Sequence, residues 1–494
     1  MSEIDTISST DLVLSIDAGT SSTRVGIWDT LGREVPGVKA QVQYLMRTTA
    51  DGGVEMDADA WCAAIFETLD IAMQQARDSG IASHIRAVGI STFWHSMLVL
   101  GRNGDALSPI FSWADNRSAA IATKLRSQWD SSKLHSRTGC VLHPCFYPAK
   151  LSWLKQDRPE LYKLAARFIS PSEYLLKRLF GLSAVHVSIS MASGTGLFNQ
   201  VECRWDQEIL ELLQINEAIL SPIATHSETA IGLLPDFAAR WPELKDVPFY
   251  PAVGDGACGN IGSGCCSPDK LAINLGTSGA IRAVWDIDRD GIGDPELPRG
   301  IWRYRVDGRR AIAGAAFSDG GHVYTFMRET LNLPAQDETE SAIAAMEPCN
   351  HGLTFMPFLA GERSMGWNPD SRASLLGMNL DTQPIHILRA AMEAVAMQFL
   401  TATESLKTMF PHVTKIVASG GALGHSAPWR TIFADVIGLP ITFASEPEAS
   451  SRGAALLALE GSGLIESIES VPARMGQTLG PDNRAHTIYL DHLI

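Results

Sequence analysis

Between Pro251 and Trp285 the chain reads PAVGDGACGNIGSGCCSPDKLAINLGTSGAIRAVW. An aspartate, Asp255, stands between two glycines, and an apolar run from Leu271 opens into the turn Gly276-Thr277-Ser278-Gly279. Residues 12–28, LVLSIDAGTSSTRVGIW, carry the same pattern. Ile16 falls on Ile273, Asp17 on Asn274, Gly19-Thr20-Ser21 on Gly276-Thr277-Ser278 and Trp28 on Trp285, at a constant offset of 257 residues. We read two copies of one strand-turn-strand unit, one opening each half of the chain.

Glycine at such a turn lets the backbone approach a ligand, and successive N–H groups with Thr and Ser hydroxyls form a pocket for phosphate oxygens. Gly19, Thr20 and Ser21, with Gly276 and Thr277, are the candidate phosphate contacts. The plainer reading is a pair of ordinary hairpin turns, in which Gly, Ser and Thr are standard. Recurrence in register, each time between two apolar runs, favours phosphate and a nucleotide held between the halves.

At 494 residues the chain is too long for one core and fits two domains, placed by the repeat at 1–250 and 251–494. Apolar residues make up 45%, and 40 basic against 55 acidic residues give a net charge of −15. With no basic run, nucleic acid and anionic membrane surfaces are excluded as expected partners. The first ten residues lack the basic and apolar regions of a signal peptide, and no apolar stretch would span a bilayer, so the expected location is cytoplasmic. The eight cysteines show no C-x-x-C and no zinc spacing, and are expected as reduced core thiols.

Residues 12–17, 24–28 and 35–44 read as a three-strand meander. Asp57 or Asp59 then caps a helix with Trp61, Ile65 and Leu69 on one face, ending by Gly80, and a buried strand covers 85–91. Strands followed by alternating helix and strand mean an α/β layer structure. Residues 97–100 with the turn Arg102-Asn103-Gly104 suggest a hairpin, and 120–250 read as mainly helical. The second half predicts strands at 271–275, 280–285, 301–306 and 310–316, the last two joined at Asp307-Gly308. A strand at 415–419 then runs into Gly420-Gly421-Ala422, followed by a helix stopped by Gly438 and Pro440.

Phosphoryl transfer rests on positioning and charge neutralisation, with a metal and a group to take the acceptor's proton. Asp17 ends the first strand beside the first turn, where it would hold Mg²⁺ directly or through water; its counterpart is the neutral Asn274. Asp255 suits a general base for a sugar hydroxyl, or alternatively a helix N-cap. Glycine on both sides favours the first, since a cap gains little from such neighbours. Trp94-His95, after the buried strand, offers an aromatic face and a polar tip, or simply core and rim. Asp115 and Arg117 can bond hydroxyls in pairs, or form an ion pair opening a helix.

Segments in one fixed order span nearly the whole chain: DAGTSSTR at 17–24, WADNR at 113–117, GDGACGNIG at 254–262, NLGTSG at 274–279 and GERSMGWNP at 361–369, then GMNLDTQPIHILRAAMEA from Gly377 and SGGALGHS from Ser419. In these the chain resembles the FGGY carbohydrate kinases, two-domain members of the actin-like ATPase superfamily. The resemblance implies an α/β fold of two RNase H-like domains with a cleft between them. It also implies ATP and Mg²⁺ as cofactors, and a small sugar or sugar acid as substrate. Asp255 matches the catalytic aspartate; Thr20, Ser21 and Thr277 match phosphate-loop residues; Asp17 matches the acidic residue near magnesium. Gly320, Gly420, Gly421 and Ala422 match the adenosine pocket, with His425 standing where many relatives place Asn. Trp94, His95, Asp115 and Arg117 fall on the sugar side.

FWHSMLVL, SWADNR, HSRTGCVLHP and SMASGTGLF look most like the gluconokinase branch, which makes gluconate the expected acceptor. A xylulokinase or other pentulose or polyol kinase is the alternative, and a non-catalytic sugar-binding regulator the second. An anionic acceptor needs a cation, for which Arg117, His95 and His143 are the candidates. Lys150 is assigned no role, and a homodimer is left open.

Overall fold

The computed structural model describes residues 11–446 and 448–492. Its first sheet begins with β1 (Leu12–Ala18), β2 (Ser22–Trp28) and β3 (Glu34–Gln43), an antiparallel meander. Helix α1 (Ala58–Asp78) follows, with Asp57 as N-cap accepting a hydrogen bond from the Ala60 N–H at 2.8 Å. It carries the chain across to β4 (Ile85–Thr92), which runs parallel to β1, as a parallel neighbour requires. β5 (Val253–Gly254) adds to the far side of β4, giving the order β5-β4-β1-β2-β3.

The second sheet contains β6 (Lys270–Leu275), β7 (Gly279–Asp286), β8 (Trp302–Arg305), β9 (Arg310–Phe317), β10 (Lys415–Ser419), β11 (Ile441–Ala444) and β12 (Met475–Leu479). Their order is β8-β9-β7-β6-β10-β11-β12. Within it, β9-β7-β6-β10-β11 repeats the arrangement β3-β2-β1-β4-β5, antiparallel on one side of the opening strand and parallel on the other. The 257-residue repeat is therefore a repeat of topology as well as of sequence, and the fold is the two-unit RNase H-like α/β architecture. Trp28 and Trp285, equivalent in the two copies, are both buried.

Helix α2 (Asp255–Gly262) continues directly from β5, and α3 (Pro384–Met409) lies in the crossover between β9 and β10. Helix α4 (Ala449–Gly461) packs on α2, β1 and β4. β1 is thus covered by α4 and buried along its whole length, which explains a character that is apolar except at Ser15 and Asp17. A Cβ at Gly89 would stand 2.2 Å from the Ala454 carbonyl oxygen, and Ser15 Oγ meets Ser451 Oγ at 2.6 Å. Hence the first core takes in residues from near the end of the chain, and the first sheet continues past residue 250 through β5.

Leu98–Leu100 pairs with the segment returning from the Gly101–Asp105 turn, through antiparallel bridges Leu100–Ala106 and Met97–Phe111, so the expected hairpin forms; Arg167–Ile169 is a further, antiparallel partner. The returning segment offers the Ser108 hydroxyl to the Val99 N–H at 2.9 Å, so regular pairing lapses there. One local expectation is corrected: the region 120–250 is mainly helical only as far as Phe180, with the strand Arg167–Ile169 inside it, and beyond it short strands and turns alternate with short helices. All eight cysteines are free thiols, six of them buried. No helix among the described residues is long and apolar enough to cross a membrane.

Candidate active site

The C-terminal ends of β1 and β6 meet at one cleft of about 370 Å³. Asp17, Arg24 and Asp255 line it together with Asn274, Arg282 and Gly420, so both copies of the repeat contribute. Gly19, Thr20, Ser21, Gly276 and Thr277 lie in the turns that follow these two strands, and none of the five lines the cleft itself. Tight closure of these turns leaves the tips outward: the Gly19 N–H bonds Ser22 O at 3.0 Å, the Gly276 N–H bonds Ser278 O at 3.0 Å, and Ser21 and Thr277 are exposed. Tyr44, which the sequence did not single out, pins the first turn from behind. Its hydroxyl donates to Gly19 O at 2.6 Å and its backbone N–H to Ser21 O at 3.0 Å.

Asp255 is the first residue of α2, and the N-cap is Gly254. Of the two readings of Asp255, the N-cap is therefore ruled out. Its Oδ1 accepts from the Gly256 N–H at 2.7 Å, which fixes the carboxylate at the cleft wall. Burial pushes its pKa up, while Arg282, that same N–H and Arg363 act to hold it down. The flanking glycines have a different cause from the one expected. They make room for the indole of Trp94, which would stand 1.9 Å from a Cβ at Gly254 and 2.8 Å from one at Gly256.

Burial raises the Asp17 pKa to about 6, with Asp255 adding to the rise and Ser91 and Arg24 opposing it. Glu446 and Glu448 bring the carboxylates lining the cleft to four, against the guanidinium groups of Arg24 and Arg282. Arg24 is itself engaged by Glu448 at 3.4 Å. Such a cleft accepts a polyphosphate only with added positive charge. Few protein carboxylates at a wet site suit Mg²⁺, which keeps most of its waters and binds phosphate oxygens. The residues present fit that ion.

The candidate adenosine residues assemble around the second turn. Gly320 and Gly321 pack against the backbone of Ser278 and Gly276, and Gly420, at φ 103°, lies against Leu275. A side chain at Gly320 or Gly420 would collide with that backbone, at 2.5 and 2.4 Å, so these glycines are needed for the loops to converge. Gly421 and His425 face open space, and Ala422 touches Gly321. His322, not anticipated, ties this corner. It bonds Thr277 O through Nδ1 at 2.8 Å and Asp319 through Nε2 at 2.9 Å, and the bond to Asp319 raises its pKa.

On the other side of Asp255, Trp94 is buried, with its indole N–H on Ser190 O at 3.0 Å and Tyr304 5.1 Å away. His95 holds a left-handed backbone at φ 65° and places Nδ1 2.6 Å from Gly194 O, so Nδ1 carries the proton. Burial lowers its pKa to about 3, and the ring is neutral. His143 is held well below its usual range by burial, and its Nδ1 accepts from the Cys145 N–H at 3.2 Å. Arg117 is buried against Asp115 and Glu55 and lies 5.0 Å from the Trp153 ring, so its charge is already met. None of the three cations expected for an anionic acceptor is therefore a free charge. Lys150 proves structural: its ammonium donates to His95 O at 2.7 Å and Ser112 O at 2.8 Å, joining the Trp94-His95 and WADNR segments.

Arg282 and Arg363 were missed. Arg282 Nε is buried without a hydrogen-bond partner beside Asp255. Its signal was available: a lone arginine within GAIRAVW, a strand otherwise apolar to Trp285.

A doubled α/β unit with a glycine turn after each opening strand, and with Asp17 and Asp255 at one cleft, defines a phosphotransferase of the RNase H-like class. The FGGY family of carbohydrate kinases matches through its N-terminal domain at residues 12–262 and its C-terminal domain at residues 302–460. The chain belongs to this family and is a carbohydrate kinase. It is 29% identical over 481 residues to a gluconokinase of Bacillus subtilis, covering 95% of this chain and 91% of the relative. A gluconate kinase structure from Lactobacillus acidophilus superposes with a TM-score of 0.89 at 25% identity, covering 98% of this chain and 96% of that one. A ligand-bound xylulose kinase from the same organism gives 0.89 at 26%, with the same coverage.

Proposed function

We propose that the chain phosphorylates a sugar acid, gluconate first, using ATP and Mg²⁺. One observation carries the reading: Asp17 and Asp255 face a single cleft built from the strand ends of both repeats. In this scheme the amides and hydroxyls of Gly19, Thr20, Ser21, Gly276 and Thr277 hold the polyphosphate. Gly320, Gly420, Gly421, Ala422 and His425 form the shelf for adenosine. Asp17 holds Mg²⁺, which supplies charge neutralisation on the phosphates when bound. Asp255 takes the proton from the terminal hydroxyl as that oxygen attacks phosphorus, and its raised pKa improves it as a base. Trp94 and His95 wall the acceptor, with His95 Nε2 free to accept from a hydroxyl. Asp115 and Arg117 brace the WADNR segment from beneath.

Gluconate is favoured over other acceptors by the gluconokinase-like segments and by the gluconokinase relative. A pentulose kinase is the second reading, supported by the neutrality of the His95 wall and the equal likeness to a xylulose kinase. Phosphorylation rates across aldonic acids, pentuloses and polyols separate the two. A kcat/KM for gluconate at least tenfold above every neutral acceptor is the expected result, and indifference to gluconate removes the first reading. The unpaired thiols are in keeping with a cytoplasmic setting.

A further inference from the structure

We propose that Arg363 receives the carboxylate of the sugar acid and so sets the preference for an anionic acceptor; this rests on the sugar-acid reading above. Arg363 belongs to the segment GERSMGWNP. Its guanidinium lies over the Trp113 ring, 5.2 Å from the centroid, and among the described residues it forms no ion pair with a carboxylate. The side chain is partly exposed, in contrast with the buried Arg117.

The segment packs, through Trp367, against the residues next to the proposed acceptor wall. Trp367, whose N–H bonds Arg363 O at 2.6 Å, places its ring 5.3 Å from His143 and 6.3 Å from Phe146. Phe146 in turn meets the edge of His95 at 4.9 Å. Arg363 also acts electrostatically on His95, His143 and Asp255, so its charge reaches the whole wall.

Two uncommitted arginines thus flank the site, and their positions divide the work. Arg282 lies beside Asp255, at the reacting end, where the hydroxyl and phosphate meet. The carboxylate of an aldonic acid sits at the opposite end of the carbon chain from the terminal hydroxyl, so it needs a cation displaced from Asp255. Arg363, above Trp113, meets that requirement. Its planar fork suits a carboxylate, and the neighbouring histidines are neutral and cannot substitute.

The test compares Arg363→Gln and Arg363→Lys with the wild type on gluconate and on the neutral polyol of the same chain length. Loss of one charge-assisted contact predicts that the gluconate-to-polyol ratio of kcat/KM falls about 10- to 100-fold in R363Q, mainly through KM for gluconate. R363K is expected to recover part of the ratio. An R363Q ratio equal to the wild type's, in an enzyme that prefers gluconate, overturns the Arg363 assignment and leaves the sugar-acid reading standing. A wild type that phosphorylates no aldonic acid overturns both. Equal losses on the two acceptors, unrelieved in R363K, assign Arg363 to the framework of the site and reject the proposal.

Discussion

Trp94 and Gly254 are in such close contact that a Cβ on the glycine would stand 1.9 Å from Cε2 of the indole. Trp94 follows β4 and Gly254 ends β5, two strands paired in parallel, and the proposed base Asp255 comes next in the chain. The proposed acceptor wall and the proposed base are therefore placed by one packing contact.

Gly254→Ala is expected to cost about 3 kcal/mol, since the added methyl meets a ring held on both sides. Urea unfolding measures it. Adding Trp94→Leu should recover most of the loss, and strictly additive effects in that double mutant would show that the two sites do not touch.

Asp255→Asn removes the proposed proton acceptor while keeping its shape. A general base contributes about 10²- to 10⁴-fold, so kcat should drop by that much with sugar binding retained by calorimetry. A variant turning over at the wild-type rate would end the assignment.

Asp17 links stability to pH with a definite sign. Its folded pKa, about 6, lies above the ordinary 3.8, so the native state holds the extra proton between those values. Stability from this group is greatest at low pH and declines as pH rises through that window. At pH 7.5 Asp17→Asn should therefore stabilise the nucleotide-free protein, by up to about 3 kcal/mol, while abolishing the Mg²⁺ dependence of nucleotide binding. In the wild type, Mg²⁺-nucleotide affinity should fall about tenfold per pH unit below 6, as a proton competes for the carboxylate. A destabilised D17N protein would contradict the buried, uncompensated charge.

Arg282 holds the Asp255 carboxyl down against burial. In Arg282→Gln the acid limb of the kcat/KM profile should move to higher pH, with a reduced plateau. A limb that stays in place would mean that some other group sets the ionisation of Asp255.

Much of the fold was legible because it is written locally. The meander, the Asp57 cap and the Asp307-Gly308 turn follow from periodicity and turn chemistry among near neighbours. The hairpin at 97–104 was legible for the same reason, whereas the second partner of Leu98–Leu100, Arg167–Ile169, was not, because it comes from far along the chain and is chosen by packing. Likewise the reason for Gly254 and Gly256 was not legible, since the indole they admit comes from residue 94.

By itself the sequence determined the doubled unit, the turns that open it and the two aspartates beside them, because a turn and its flanking strands are specified within about twenty residues. Which charges are free was decided only in three dimensions. Arg117 is neutralised by Glu55, His95 and His143 lose their charge to burial, and Arg282 and Arg363 stay uncommitted. Burial and ion pairing are properties of neighbours in space, and here those neighbours come from distant segments: Glu55 meets Arg117, Phe146 and Tyr304 pack on His95, and Trp367 packs on His143.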